Sequence, residues 1–168
     1  MQLAWKEVHR SSAIRRLIEA YRALLDAESA SILLIDGEVM RFCIVEGLNA
    51  AALEGTGDAE FAFSIKLSED RGINSIAALM GKTLCMQQMD GRHNTDVDEQ
   101  LNQRTRSILV VPLIVDQSVV GTLSAINPHS QLQEPLRYRF TSEDTAAAES
   151  SAAGIAAILA GISGLERP

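Results

Sequence analysis

Two apolar runs near the middle of the chain set its organisation. Ser107–Val115 is almost unbroken and ends at Asp116–Gln117. Ser118–Asn127 then resumes with Val119, Val120, Leu123 and Ile126, while Thr122 and Ser124 share one parity. Runs of this length, rich in Val and Ile and bounded by turn residues, predict two central strands covered on both faces. Pro112 cannot donate to a ladder, so a bulge or strand end is expected there. Gly121 predicts close approach by another backbone.

The rest of the chain supplies elements on either side. Residues 3–28 carry Ile14, Leu17, Ile18, Tyr21, Leu24 and Leu25 at three- and four-residue steps, which predicts one long helix with a single apolar stripe. That stripe fits a helix lying on its own sheet. It also fits a dimer seam with Ile14 and Tyr21 in one register and Leu17 or Ile18, then Leu24 or Leu25, in the other. Ser31–Ile35 and Val39–Val45 read as a hairpin around Asp36–Gly37, since Asp-Gly accepts positive φ at both central positions. A looser stretch, Gly47–Glu60, precedes the alternating strand Phe61–Leu67. Gly72–Met80 reads as a short helix closed by Gly81, and Thr83–Gln87 as a short strand. Gln88–Arg106 is polar, with a helical turn or two around Asp96–Gln103, and long polar connections of this kind often serve as lids. Pro128–Arg139 reads as an exposed loop. Thr141-Ser-Glu-Asp144 then caps an Ala-rich helix over 142–162.

The motifs "R-S-I-L-V-V-P-L", "V-V-G-T-L-S-A-I-N" and "F-T-S-E-D" together resemble the C-terminal half of a GAF domain, and the remaining elements run in a compatible order. The resemblance implies an α+β, GAF-like fold of the profilin-like three-layer α/β/α kind. Its six-stranded antiparallel sheet would have the order 3-2-1-6-5-4, with the N- and C-terminal helices on one face. One domain over residues 1–168 is expected. Short connections between neighbouring strands fit the same arrangement independently.

Charge and composition narrow the possible partners. A formal charge of −7 disfavours unassisted contact with nucleic-acid backbones. No apolar run approaches the roughly 20 residues of a membrane helix and no signal peptide precedes the first helix, so no membrane role and a cytoplasmic location are expected. Cys43 and Cys85 are too few for a disulfide framework. The sequence assigns no cofactor.

Three constellations bear on chemistry. Asp90, His93, Asp96, Asp98 and Glu99 lack the fixed spacing of a calcium loop and read as a solvated acidic lid, with no metal site assigned. Asn127, Phe140 and Asp144 match positions of the Asn-Lys-Phe-Asp-Glu signature of cyclic-nucleotide GAF domains. Pro128 and Thr145 replace its lysine and glutamate. Cys85 is followed by Met86, not by the histidine of bilin-binding relatives. Ile108 stands where free methionine sulfoxide reductases carry an acid, and Cys85 therefore reads as a small hydrophobe. The resemblance implies a non-catalytic, small-molecule-sensing regulatory module working as a parallel homodimer through its terminal helices. The alternatives are a free methionine-sulfoxide-reductase-like enzyme and a ligand-free dimerisation module. A ligand would sit between the sheet and Ile73–Gln103. Its walls would come from Ile73, Asn74, Ile76, Cys85, Leu101, Ile108 and Val110, with Thr122 and Ser124 as convergent polar groups in a mostly apolar pocket.

Overall fold

The computed structural model describes residues 2–47, 50–55, 58–70, 72–87, 97–99, 104–128 and 139–162. The elements run α1 (Gln2–Arg10), α2 (Ser12–Leu24), β1 (Ala27–Asp36), β2 (Val39–Gly47), α3 (Ala50–Glu54) and a 3-10 turn (Ala59–Phe61). They continue with β3 (Ser64–Lys66), α4 (Ile73–Met80), β4 (Leu84–Met86), β5 (Ile108–Val115), β6 (Ser118–Pro128) and α5 (Ser142–Leu159). The strands form one antiparallel sheet in the order β3-β2-β1-β6-β5-β4, as the resemblance implied.

The pleat divides the core into two layers. Ala30, Ile32 and Leu34 of β1, with Leu109, Leu123 and Ala125, join Trp5, Ile14, Ile18, Tyr21 and Ile155 under α1, α2 and α5. Leu33 and Ile35 face the opposite way, toward Leu53 of α3 and Ala78 of α4. A bulge re-phases β2. Ile32 pairs with Ile44 but Leu33 pairs with Phe42, so Cys43 is the extra residue. Phe42 and Val45 therefore share a face although their numbers differ in parity.

The single helix expected over 3–28 is instead two helices. Ser11 breaks it by adopting an extended conformation and accepting a hydrogen bond from Ile14 N (3.3 Å), which starts α2 afresh. The second helix stops at Leu24, and Asp26 turns the chain at φ 48° into a β1 that begins earlier than the apolar run suggested. Ile14, Ile18 and Tyr21 are fully buried against the sheet, which removes the seam register built on Ile14 and Tyr21. Leu17 and Leu24 stay exposed, at 39% and 64%. They sit with Ala13 and Ala20 at alternating four- and three-residue steps on the outward face of α2.

Other expectations shift by a few residues. The β1–β2 loop is Gly37–Glu38, with Asp36 still paired to Val39 and positive φ at Gly37 alone. Asp116 and Gln117, at φ 49° and 67°, take the turn in which both central residues are left-handed. The stretch 47–60, expected to be loose, holds α3. Phe61 closes the 3-10 turn and points outward instead of beginning a strand. Pro112 lies mid-strand opposite Thr122, where β5 has run past its β4 partners. The bulge comes one pair later, between Leu113 and Ile114. An added Cβ at Gly121 would lie 2.1 Å from the Leu33 carbonyl, so only glycine lets β1 and β6 approach here. Thr141 accepts from Asp144 N (3.1 Å) and Asp144 accepts from Thr141 N (2.7 Å), a complete capping box for α5.

Candidate functional site

The sheet face away from the terminal helices carries a cleft of about 640 Å³, its open mouth included. Its apolar lining includes Phe42, Val45, Leu53, Ile65, Ile73 and Ile126. Ser29, Ser31, Asn74, Asp98, Thr105 and Ser124 supply the polar groups. β1 and β6 lie side by side with Ser31 paired to Ser124 in the ladder, and their hydroxyls meet at 2.7 Å. Thr122, fully buried one pleat further along β6, donates to Asn74 Oδ1 at 2.8 Å and so fixes the first turn of α4 over the sheet. Ser75 donates to Ser68 O at 2.8 Å and accepts from Ser68 N, which pins the same turn from behind.

The far wall is held by Asn127. At φ 52° its side chain accepts from Arg106 N (2.7 Å) and Ser107 N (3.1 Å) and donates to Glu28 Oε2 and Arg104 O (both 2.9 Å). That uses the full capacity of a carboxamide. It fixes residues 104–107, and with them Thr105, which gives its N–H (2.8 Å) and its hydroxyl (2.6 Å) to the Asp98 carboxylate. Residues 97–99 are helical; the rest of the proposed lid, Gln88–Asp96 and Gln100–Gln103, lies outside the described residues.

Among the residues proposed from sequence, Ile73, Asn74, Ile108 and Ser124 line the cleft. Thr122 stands behind the wall and acts on it through Asn74. Ile76 and Val110 are buried core residues that do not line it. Leu101 lies outside the described residues. Cys85, expected in the wall, does not line the cleft. Its neighbours Leu84 and Met86 pack with Ile73 and Ile108, so alternation along β4 turns Cys85 to the helix side. Burial, then the nearby Asp144 carboxylate, pushes its thiol pKa up. Cys43 is also on the helix side, and burial holds its thiol well above the usual range.

The sequence reading missed the contributions of β1, β2, β3 and α3. Ser29 and Ser31 shared a parity with Leu33 and Ile35 and could have been found that way. Phe42 and Val45 were hidden by the bulge at Cys43.

One network leads from this wall to the other layer. β3 pairs β2 over Val39–Arg41 and Phe63 O accepts from Phe42 N (3.0 Å), and the β3 ladder reaches no further along the edge of β2. Glu54 fills the gap by accepting from Val45 N. Its carboxylate also takes both terminal nitrogens of Arg15, at 3.0 and 3.3 Å. Arg15 Nε donates to His9 O at 2.9 Å. His9 Nδ1 donates to Cys43 O at 2.7 Å; a carbonyl can only accept, so Nδ1 carries the proton. Arg15 Nη2 lies beside the same ring, 3.1 Å from Nδ1 and 3.4 Å from Nε2. The His9 ring stacks on Trp5, centroids 4.6 Å apart. Leu53 and Val45 of the cleft are thus joined to α1 and α2 around the sheet edge.

A family model for the GAF domain matches residues 9–159. The chain belongs to the GAF domain family. This GAF domain is 26% identical over 132 residues to a probable 3',5'-cyclic phosphodiesterase, pde-5, of Caenorhabditis elegans. The match takes in 73% of this chain and 17% of that protein, so the chain spans about a sixth of its relative. Among solved structures it is similar to a type II free methionine-R-sulfoxide reductase from Thermoplasma acidophilum, with a TM-score of 0.69 at 15% identity, covering 94% of this chain and 96% of that one. It is also similar to the GAF domain of a phosphoenolpyruvate-protein phosphotransferase from Coxiella burnetii, with a TM-score of 0.66 at 15% identity, covering 92% and 86%. At these identities the structural likenesses establish the fold. The three signature positions present in this GAF domain have structural work here: Asn127 pins 104–107, Phe140 is core, and Asp144 caps α5.

Proposed function

We propose that this GAF domain is a non-catalytic regulatory module that binds a small molecule in the cleft over β1, β2 and β6 and passes its occupancy to the terminal helices. The observation that carries the reading is the position of the cleft. It is open and mostly apolar with a few convergent polar groups, the usual make-up of a ligand site. It also shares Val45 with the Glu54–Arg15–His9 network that reaches α1 and α2, and its Leu53 precedes Glu54 in α3. A ligand that favours one setting of α3 shifts the helices by its differential affinity for the two settings. Thr122 and Asn74 position the wall in this scheme, and Ser31 and Ser124 contact the ligand.

The reductase alternative needs a thiol at the substrate, and both cysteines of the chain face the helix layer, away from the cleft. That favours regulation over redox chemistry. The output helices pair as a parallel homodimer in this proposal. Ala13, Leu17, Ala20 and Leu24 on α2 and Ala146, Ser150, Ala153 and Ala157 on α5 are all exposed at heptad-like steps.

A thermal-shift screen of cyclic nucleotides, amino acids, oxo-acids and neutral metabolites tests the reading. A ligand at about 100-fold excess over its Kd contributes about 2.7 kcal/mol. At about 2–4 °C per kcal/mol for a chain of this size, the melting point rises by roughly 5–10 °C. Thiol-dependent turnover of methionine sulfoxide would favour the enzyme instead.

A further inference from the structure

The protons available at the cleft wall limit what can bind there. Thr122 is fully buried, and its hydroxyl has Asn74 as its hydrogen-bond partner. If Asn74 turned its NH2 toward Thr122, the buried hydroxyl proton would have no acceptor, at an unfavourable desolvation cost. Asn74 therefore presents Oδ1 to Thr122 and leaves its NH2, with no partner among the described residues, at the cleft. In the Ser31–Ser124 pair one hydroxyl donates to the other, so the second keeps a proton that the pair does not use. Ser29 adds a hydroxyl with no partner among the described residues. These groups line a surface otherwise made of Phe42, Val45, Leu53 and Ile65.

Charge is distributed the opposite way. No Lys, Arg or His stands among the described lining residues, and the charged one, Asp98, is a carboxylate held by Thr105. Against the described lining residues a ligand anion would lose its hydration without gaining a cation and would face Asp98. A ligand ammonium would give up its hydration at a mostly apolar wall, where the carboxylate among the described lining residues, Asp98, already accepts from the Thr105 N–H and hydroxyl.

We propose that the cleft selects uncharged ligands with an apolar body and hydrogen-bond-accepting atoms, such as amides, lactones, ketones or neutral heteroaromatics, with the Asn74 NH2 as the selecting group. This rests on the reading of the cleft as a ligand site and adds the ligand's chemical class.

A matched set of probes tests it: phenylacetamide, phenylacetate, phenethylamine and ethylbenzene, titrated at neutral pH by 1H–15N correlation NMR. These share a phenyl body and differ in the end group. Phenylacetamide is expected to bind at least about tenfold more tightly than either charged probe and more tightly than ethylbenzene. Asn74→Leu, which removes the NH2 donor, should bring phenylacetamide most of the way to the ethylbenzene level. Ser29→Ala, the gentler variant, should weaken the amide and leave ethylbenzene unchanged. Equal binding of amide and ethylbenzene overturns the selection by donors while leaving the ligand site in place, and so does tighter binding of the carboxylate or the amine. Failure of all four probes to bind at millimolar concentration overturns the ligand-site reading itself, and this inference with it.

Discussion

Removing Glu54 should reveal how the two layers of the domain are joined. Its side chain is only 11% exposed, against 32% for Arg15. In Glu54→Leu the Val45 N–H loses its acceptor inside the fold, a cost of about 1–3 kcal/mol. Arg15 loses its bidentate partner, but a third of its side chain already meets water. We place that loss at about 1 kcal/mol, well under the full figure for a buried pair. The sum is about 3 kcal/mol, or roughly 6–12 °C of melting temperature. Arg15→Met leaves the less accessible Glu54 carboxylate with Val45 N–H and His9, and should cost about as much. The double variant replaces the pair with two apolar side chains and should recover about 1–3 kcal/mol of the summed losses, because each single change strands the other's partner. Urea unfolding followed by fluorescence reads all four proteins. Trp5 is the sole tryptophan of the chain and stacks on His9 within the network. Losses that simply add, or single variants that each cost under about 0.5 kcal/mol, would show that Glu54 and Arg15 do not act as one unit.

Leu17→Glu should weaken self-association by placing a carboxylate in an apolar seam, while far-UV circular dichroism stays unchanged because Leu17 packs outside the core. A wild-type protein that sediments as a monomer at high micromolar concentration removes the seam. Tyr21→Phe should be neutral or stabilising by up to about 1 kcal/mol, since the Tyr21 hydroxyl is buried without a hydrogen-bond partner among the described residues; a clear loss in urea stability contradicts this. Burial raises the Tyr21 phenol and both thiols, with Asp144 adding to the shift at Tyr21 and Cys85 and Glu54 adding at Cys43. The folded chain therefore holds these protons more tightly than the unfolded one. Stability should be unaffected by these groups below about pH 8.5 and should fall as pH rises above it. Cys43→Ala should flatten part of that slope, and an unchanged slope in the alkaline range for a variant lacking all three groups would refute it.

The β5–β6 hairpin, α4 and the cap of α5 were legible because each depends on local signals: unbroken Val/Ile runs, Gly81 after an apolar helix, and Thr141 three residues before Asp144. The long N-terminal helix was misread because every residue of its apolar stripe, Ile14 to Leu25, lies beyond Ser11, so no apolar position tested the break that the cap geometry marks. The sheet order came from the family resemblance, not from periodicity. The cleft was half legible. Serines and threonines on one strand parity could be placed, but Phe42 and Val45 required knowledge of a bulge that no residue type announces. α3 was invisible because Ala50–Glu54 is too short to show a period. The Glu54 network depends on a missing strand partner for β2, a fact of pairing that lies beyond any single segment.

In the proposed function a small molecule binds between the β1–β2–β6 face and the α3–α4 side. The direct test is a nuclear Overhauser experiment on methyl-labelled protein with bound phenylacetamide. Contacts from the phenyl ring to the methyls of Val45, Leu53, Ile65 and Ile73, with none to Leu109, Leu123 or Ile155 on the helix side, are the predicted result. Contacts to the helix-side methyls, or none to the first group, would contradict it.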